Sequence, residues 1–353
     1  MPSARVVETP RLTLRPPTAA DRDAWVSLHR DPRTYSHAPH AMAQTDDAAV
    51  EFFDAARKHW DERGFGFWVA LDRESGELVG VGGVKDIDGA FLNLYYRLAF
   101  DRLGQGLGTE IARAAAAHAL EFLPELPVRA LVKEVNVPSV RTALRAGFQA
   151  VGAKVLRDDL PDEAPSIVFE APRVEAATAF DAATREQVLD LWVRTNDAGG
   201  AVGFTPGAPR GDVDAALARH EEAMAEGAST AVLLRSAVDG RVIGMALVTP
   251  APTPLMPHVA TVWRVMTDPD ARGRNLGRLL MAGVHRVSRK LGLEILTLNV
   301  RSGTGTTRFY EACGYEVTGR VLGAIRVAPG DDRDDIWMAR RLDGRVLTPD
   351  VRD

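Results

Sequence analysis

Apolar and polar residues alternate over Arg11-Leu12-Thr13-Leu14-Arg15, the pattern of a half-buried strand, and a long series of elements follows. Asp21 to Arg30 and Asp46 to Arg63 have helical spacing, with Thr45 in position to cap the second. Phe65 to Leu71 and Leu78 to Val84 read as strands joined through Glu74-Ser75-Gly76, and Phe91 to Phe100 as a third. A glycine loop comes next, then a helix from about Gly106 to Leu123 whose Ile111, Ala115, Ala119 and Phe122 recur on one face. A strand ending at Asn136, a helix over Ser139 to Ala146, and strands over Ala150 to Leu156 and Ser166 to Glu170 complete the series.

The order then begins again. Val174 to Phe180 is a strand, and Arg185 to Arg194 and Val213 to Glu226 are helices around a Gly- and Pro-rich loop, Gly199 to Gly211. Strands over Thr230 to Leu234, Val242 to Thr249 and Val259 to Thr267 lead to a second loop, followed by a helix over Leu276 to Leu291. A strand Glu294 to Asn299, a helix Thr306 to Ala312 and two last strands end the chain. Three markers recur: Gly108 and Gly277, Asn136 and Asn299, Gly147 and Gly314, at offsets of 169, 163 and 167. This is a duplicated domain with its boundary near Ala171 to Glu175, which predicts one copy over 1–172 and another over 173–353. Each copy is expected to be α+β, a mostly antiparallel mixed sheet flanked by helices.

Two domains suit 353 residues, and each half is long enough to bury its own core. A net charge of −5 favours neither nucleic acid nor an anionic membrane as partner. No apolar run approaches the roughly 20 residues of a membrane span, and the first residues lack the apolar core of a signal peptide. The single Cys313 excludes an intrachain disulfide and a cysteine metal cluster, so no metal is expected and a reducing cytoplasm fits.

Each glycine loop opens a helix. A helix N-terminus leaves backbone N–H groups unpaired and carries partial positive charge, and glycines let an oxygen-rich group come close. Gly104, Gly106 and Gly108 build the first loop. In the second, Asn275 takes a glycine position, being among the residues that best tolerate a left-handed backbone. Arg272, Arg274 and Arg278 add charge there. The spacing is not that of a dinucleotide-binding fingerprint, and no Gly-Lys-Ser/Thr follows as a P-loop requires.

At these residues the chain resembles the GNAT N-acetyltransferases. Arg272-Gly273-Arg274-Asn275-Leu276-Gly277 is similar to that family's Arg/Gln-x-x-Gly-x-Gly/Ala loop apart from Asn275. Leu103-Gly104-Gln105-Gly106-Leu107-Gly108 is similar with Leu in the leading place. The first copy most resembles the ribosomal-protein alanine acetyltransferase branch, through Thr9-Pro10-Arg11-Leu12-Thr13-Leu14-Arg15 and Asn136-x-x-Ser139 before Gly147-Phe148. The second resembles the broader family, with Arg308-Phe309-Tyr310-Glu311-Ala312-Cys313-Gly314-Tyr315 as its late helix. The resemblance implies acetyl-CoA in a cleft between the fourth strand and a splayed fifth. The implied cofactor-binding residues are Gly104, Gln105, Gly106, Gly108, Thr109 and Asn136 in one copy. In the other they are Val265, Thr267, Arg272, Gly273, Arg274, Asn275, Leu276, Gly277, Arg278 and Asn299.

Acyl transfer to an amine requires loss of the amine's proton, a donor for the developing oxyanion and a group to meet the departing thiolate. The resemblance assigns the oxyanion donor to the backbone of Val265 or Thr267, and the catalytic acid to Tyr310, whose phenol is protonated at neutral pH. The first copy has Ala143 at that place; Ser139 there is either a partial substitute or a helix cap. Neither fourth strand carries Asp or Glu, and Asn93 stands where the nearest relatives usually have Glu. A water chain or His258, at the start of its strand, could serve as base. The run Asp331-Asp332-Arg333-Asp334-Asp335 is either a solvated turn or an attractor for a cationic amine.

The expectation is a tandem N-acyltransferase moving acetyl from acetyl-CoA to a primary amine of a small molecule or peptide. The C-terminal copy is catalytic, and the N-terminal copy substitutes for a second subunit in a pseudo-dimer or lies within a homodimer. The alternatives are transfer of a longer acyl chain, from CoA or an acyl carrier protein, and a non-catalytic acyl-CoA-binding regulator.

Overall fold

A computed structural model describes residues 5–36, 38–154 and 165–347. The chain divides into two compact units, Met1–Pro172 and Arg173–Asp353, each with its own sheet.

The first unit opens with β1 (Val7–Glu8) and β2 (Leu12–Arg15), then α1 (Arg22–Arg30) and α2 (Asp46–Arg63). The Thr45 side chain accepts the Ala48 N–H at 3.1 Å to start α2, and Gly64, left-handed at φ +74°, ends it. Ala49, Phe53, Ala56 and Trp60 recur at helical spacing and bury one face of α2. The remaining elements are β3 (Phe67–Asp72), β4 (Leu78–Ile87), β5 (Phe91–Leu98), α3 (Leu107–Phe122), β6 (Val128–Lys133), α4 (Val137–Arg145), β7 (Gln149–Lys154) and β8 (Ser166–Glu170). Val155 and Leu156 of the predicted strand lie outside the described residues. The sheet order is β1-β2-β3-β4-β5-β6-β8-β7.

The second unit repeats the plan with β9 (Arg173–Ala177), α5 (Ala182–Asp197), α6 (Arg210–Ala225), β10 (Thr230–Arg235), β11 (Val242–Pro250), β12 (Val259–Thr267), α7 (Leu276–Lys290), β13 (Ile295–Arg301), α8 (Thr306–Glu311), β14 (Glu316–Ala328) and β15 (Asp331–Arg341). Its sheet order is β14-β15-β13-β12-β11-β10-β9. Val188 and Trp192 of α5, Leu217 of α6, and Leu233, Met245 and Leu247 of the sheet form its core. In each unit all pairings are antiparallel except one. That one is short: Leu92↔Val128 and Asn93↔Arg129 in the first sheet, Val259↔Ile295 to Thr261↔Thr297 in the second. Beyond these pairs the two strands separate, and a cleft opens beside the glycine loop. No helix among the described residues is long and apolar enough to cross a membrane.

Two expectations are corrected. Asn136 and Asn299 are not equivalent: β6 ends at Lys133 and Asn136 caps α4, whereas Asn299 lies inside β13. Val128 pairs with Leu92 as Ile295 pairs with Val259, both offsets being 167, so Asn299 corresponds to Val132. The acidic run is no turn. It lies in β15, where Asp332 pairs with Arg326, Asp334 with Arg320 and Asp331 with Arg333, while Asp335 accepts from Asn299 and Trp337. Three of its carboxylates are paired with arginines, while Asp335, held by neutral donors, keeps its charge.

Candidate functional site

The second loop starts from a buried acid. Asp268 follows β12 and takes the guanidinium of Arg194 at 2.7 Å and that of Arg241 at 3.0 Å. Burial alone would raise its carboxyl, but the Asp270 N–H and the two guanidinium groups outweigh it and hold it below the usual range. Asp268 thereby fixes the 3-10 turn Pro269–Ala271 from which the loop departs. Sequence reading passed over it, because its partners are distant in the chain.

Gly273 at φ +79° and Asn275 at φ +63° are both left-handed, and Asn275 is the N-cap of α7. The first loop has the same form, with Gly104 at φ +76° and Gly106 at φ +80° as the cap of α3. The first N–H groups of each helix have no intrahelical acceptor and point out of the loop. The third glycine serves close approach instead. A Cβ on Gly277 would stand 3.0 Å from the Phe309 ring, so α8 is seated directly on the first turn of α7.

The charges around the loops differ from expectation. Arg272 donates to the Ala198 carbonyl and Arg278 to the Ala312 carbonyl, each at 2.7 Å. Arg274 is exposed and its side chain has no partner among the described residues. In the first unit the exposed Leu103 gives no charge, but Arg11 reaches over the loop, donating to the Gln105 carbonyl at 2.8 Å and pairing with Glu110 at 2.6 Å. The Gln105 amide turns back to the Asp101 carbonyl, and the Thr109 hydroxyl lies 3.4 Å from that of Thr142.

The strand beside each loop separates the two units. In β5 the ladder with β4 is continuous from Ile87↔Phe91 to Gly80↔Leu98. In β12 it slips by one: Leu247 faces Trp263 and Met245 faces Met266, so Arg264 and Val265 together oppose Ala246. This is a β-bulge with its first residue left-handed, Arg264 at φ +54°. A left-handed arginine costs on the order of 1–3 kcal/mol, and such strain gathers at functional positions. The bulge takes Val265 out of the regular ladder; Thr267 remains opposite Gly244.

Tyr310 is buried on α8, edge-on to Phe309 and Tyr315. Its hydroxyl makes no hydrogen bond among the described residues, and burial together with Cys313 pushes its pKa up. The equivalent Ala143 is also buried and carries no hydroxyl. Asn136, not Ser139, is the cap of α4: its side chain accepts the Ser139 N–H at 3.2 Å. The Ser139 hydroxyl accepts from the Tyr96 hydroxyl at 3.0 Å, so the phenol near this helix comes from β5, a residue the sequence did not single out. Burial raises the Tyr96 pKa against the opposing bonds to Ser139 and Thr142. Asn299 donates to Asp335 at 2.9 Å on the same side of the sheet as Thr297, whose hydroxyl lies 3.0 Å from that of Thr261. His258 stands at the opposite end of β12, six residues or about 20 Å of strand before Arg264, and is not part of the site.

Each unit thus has a left-handed loop opening a helix beside a parallel strand pair that is joined only at its start. Residues 11–149 match the family model described as "Acetyltransferase (GNAT) domain", and residues 179–315 match "Acetyltransferase (GNAT) family". The chain therefore belongs to the GNAT acetyltransferases and carries two such domains in tandem. Similar solved structures include a putative GNAT-family acetyltransferase from Bordetella pertussis, 27% identical, covering 47% of this chain and 98% of that one with a TM-score of 0.40. A ribosomal-protein-alanine N-acetyltransferase from Brucella melitensis is 18% identical over 48% of this chain and 98% of its own, with a TM-score of 0.40. A putative acetyltransferase from Salmonella typhimurium, solved with acetyl-CoA, is 18% identical over 51% and 99%, also with a TM-score of 0.40.

Proposed function

We propose that the C-terminal unit is an N-acetyltransferase that moves acetyl from acetyl-CoA to the primary amine of a small molecule or peptide in a reducing cytoplasm. The observation that carries this reading is the bulge at Arg264 and Val265, which the N-terminal unit lacks. The residues present fit the donor. Two left-handed loop residues aim the α7 N-terminus outward, and Arg274 stands beside them without a partner among the described residues. Leu276, Gly277 and Arg278 would offer N–H groups to the pyrophosphate, and Arg274 its charge.

Acetyl-CoA supplies the acetyl thioester. The Val265 N–H, out of register in the bulge, is the donor for the oxygen on which negative charge develops. As the C–N bond forms, the C–S bond breaks; the amine's proton passes to water, since β12 carries no Asp or Glu. Tyr310 meets the leaving sulfur with its hydroxyl. Because its pKa is raised, it acts chiefly as a hydrogen-bond donor, and full proton transfer comes from solvent. The N-terminal unit retains the loop but has Ala143 and an unbulged β5, which supports a unit that binds acyl-CoA without turning it over.

The test is thiol release from acetyl-CoA across a panel of amines, with calorimetry of acetyl-CoA binding. Binding with release dependent on the amine is the expected result. An absence of acetyl-CoA binding overturns the reading.

A further inference from the structure

Arg264 is a guanidinium held inside the second unit without an anion. Its Nε donates to His220 Nε2 at 3.4 Å and one Nη to the Val202 carbonyl at 3.2 Å. Its carbon lies 5.1 Å from the Trp192 ring centroid, and Gly203 gives it room: a Cβ there would fall within 2.3 Å of an Nη. No carboxylate pairs with it among the described residues. On α6, Asp214 and Glu221 are both paired with Arg185. A half-buried cation is normally paired, because its desolvation is costly. His220 does not supply the missing charge. Burial, Arg264 and Arg219 push its pKa down to about 4, so it is neutral, and its Nε2 is spent on Arg264. That also disqualifies His220 as the proton acceptor and leaves it as a positioning residue for Arg264.

The direction in which Arg264 faces says which ligand it serves. Its neighbours come from α5, α6 and the loop between them, whereas α7, which carries the donor loop, packs on β9 to β12 with Gly283 against Val174. In β15, Ile336 and Met338 are buried, so Trp337 projects to the other side; it is 50% exposed and lies opposite Asn299. Trp263 is on the same side as Thr261 and is 42% exposed. Two indoles and one guanidinium thus line the sheet face away from the donor loop. The first unit offers a comparison. Arg97, 167 residues earlier, also lacks a carboxylate among the described residues and lies 3.4 Å from the Tyr35 ring centroid. Its donors, however, are committed to Tyr95 Oη at 2.9 Å and the Thr34 carbonyl at 2.7 Å. In both arginines the second Nη has no partner among the described residues, but Arg264 holds its two acceptors at longer range.

We propose that Arg264 binds a carboxylate on the acceptor, so that the amine acetylated by the C-terminal unit belongs to an amino acid or a similar zwitterion. This rests on the acetyl-transfer reading above and narrows its acceptor. The bidentate fork of an arginine suits a carboxylate, and Arg264 is the bulge residue directly before Val265, whose N–H the proposed chemistry uses.

The experiment compares L-amino acids with their carboxamides in the thiol-release assay, on the wild-type chain and on Arg264→Asn and Arg264→Lys. Asn tolerates the left-handed backbone, so the first variant removes the guanidinium at least conformational cost; the second keeps charge without the fork. A charge-assisted bond of this kind is worth roughly ten- to a hundredfold in binding. The expected result is a preference for the acids over the amides of at least tenfold in kcat/KM. Arg264→Asn should abolish it through KM, Arg264→Lys should restore it in part, and acetyl-CoA affinity by calorimetry should be unchanged in both. Calorimetric titration of each N-acetylated product and its amide should show the same preference without turnover. Equal use of acids and amides, or a preference unchanged in Arg264→Asn, overturns the inference while leaving the transferase reading intact. Failure of acetyl-CoA to bind the wild-type chain overturns both.

Discussion

Replacing Tyr310 by Phe is the cleanest single perturbation of the proposed chemistry. The hydroxyl has no partner among the described residues, and the ring keeps its edge contacts with Phe309 and Tyr315, so the fold should lose less than about 1 kcal/mol. If the hydroxyl meets the leaving sulfur, the variant forfeits a hydrogen bond to a group that gains negative charge only late in the reaction. Such a bond is worth about 1.5–3 kcal/mol, which is roughly ten- to a hundredfold in rate. Full general-acid catalysis would reach about 10²–10⁴-fold. Burial and Cys313 raise the Tyr310 pKa and make complete proton transfer to a thiolate unfavourable, so the smaller range applies. Steady-state thiol release should therefore show kcat reduced by roughly ten- to a hundredfold, with acetyl-CoA affinity by calorimetry and melting temperature close to wild type. Turnover equal to wild type would refute the reasoning and leave Tyr310 as packing between α8 and Tyr315. A matching fall in acetyl-CoA affinity would refute it as well, since it would mean the hydroxyl acts in the ground state.

Asn275→Gly should preserve acetyl-CoA binding, because glycine adopts φ +63° freely, whereas Asn275→Glu should abolish it at that site by adding strain and negative charge; calorimetric stoichiometry separates the two. Gly106→Glu should leave most thiol release in place while removing binding at the first loop, and loss of turnover from this variant would move the active site to the N-terminal unit. The N-terminal unit should also weaken in mild acid. His29 and His118 are pushed from 6.5 to about 4, His29 by burial and then Arg97 against the Trp25 carbonyl, His118 by burial against Glu121. The unfolded chain therefore takes up their protons first: stability is whole above pH 6.5 and is lost as pH falls towards 4, on the order of 3 kcal/mol for each histidine. Melting curves between pH 7 and 4.5 should show the loss, and His118→Phe should lessen it; a melting temperature level across this window contradicts the assignment.

How far the sequence reached depended on whether a feature was local. The left-handed cap at Asn275 is legible because an Asn in a glycine position has one main conformational reason to be there. The start of α2 at Thr45 is legible for a similar reason: capping is settled within four residues. Features made by pairing were hidden. A bulge is a count of two residues against one, and neither Arg264 nor Val265 announces it until β12 is laid beside β11. The acids of β15 looked like a turn because the arginines that occupy them, Arg320 and Arg326, sit on the partner strand. His258 looked placed for catalysis because sequence gives its position on a strand but not which end of that strand holds the cleft. Asn136 and Asn299 looked equivalent because each closes an apolar run; only the register of β6 and β13 separates a helix cap from a strand residue.

The bulge also sets a limit on how the two units can be interconverted. Loop glycines, the residue at position 143 or the arginine of β12 can each be exchanged one codon at a time. An out-of-register residue cannot: it is a difference in length, and β5 runs against β4 with no residue to spare. Giving the N-terminal unit the strand geometry of the C-terminal one needs an insertion, and restoring a flat ladder in β12 needs a deletion. On the proposed reading, a library built from point substitutions alone would leave the N-terminal strand without the geometry assigned to the chemistry. A single-codon insertion in β5 is the edit that would give the first unit the same two-against-one register.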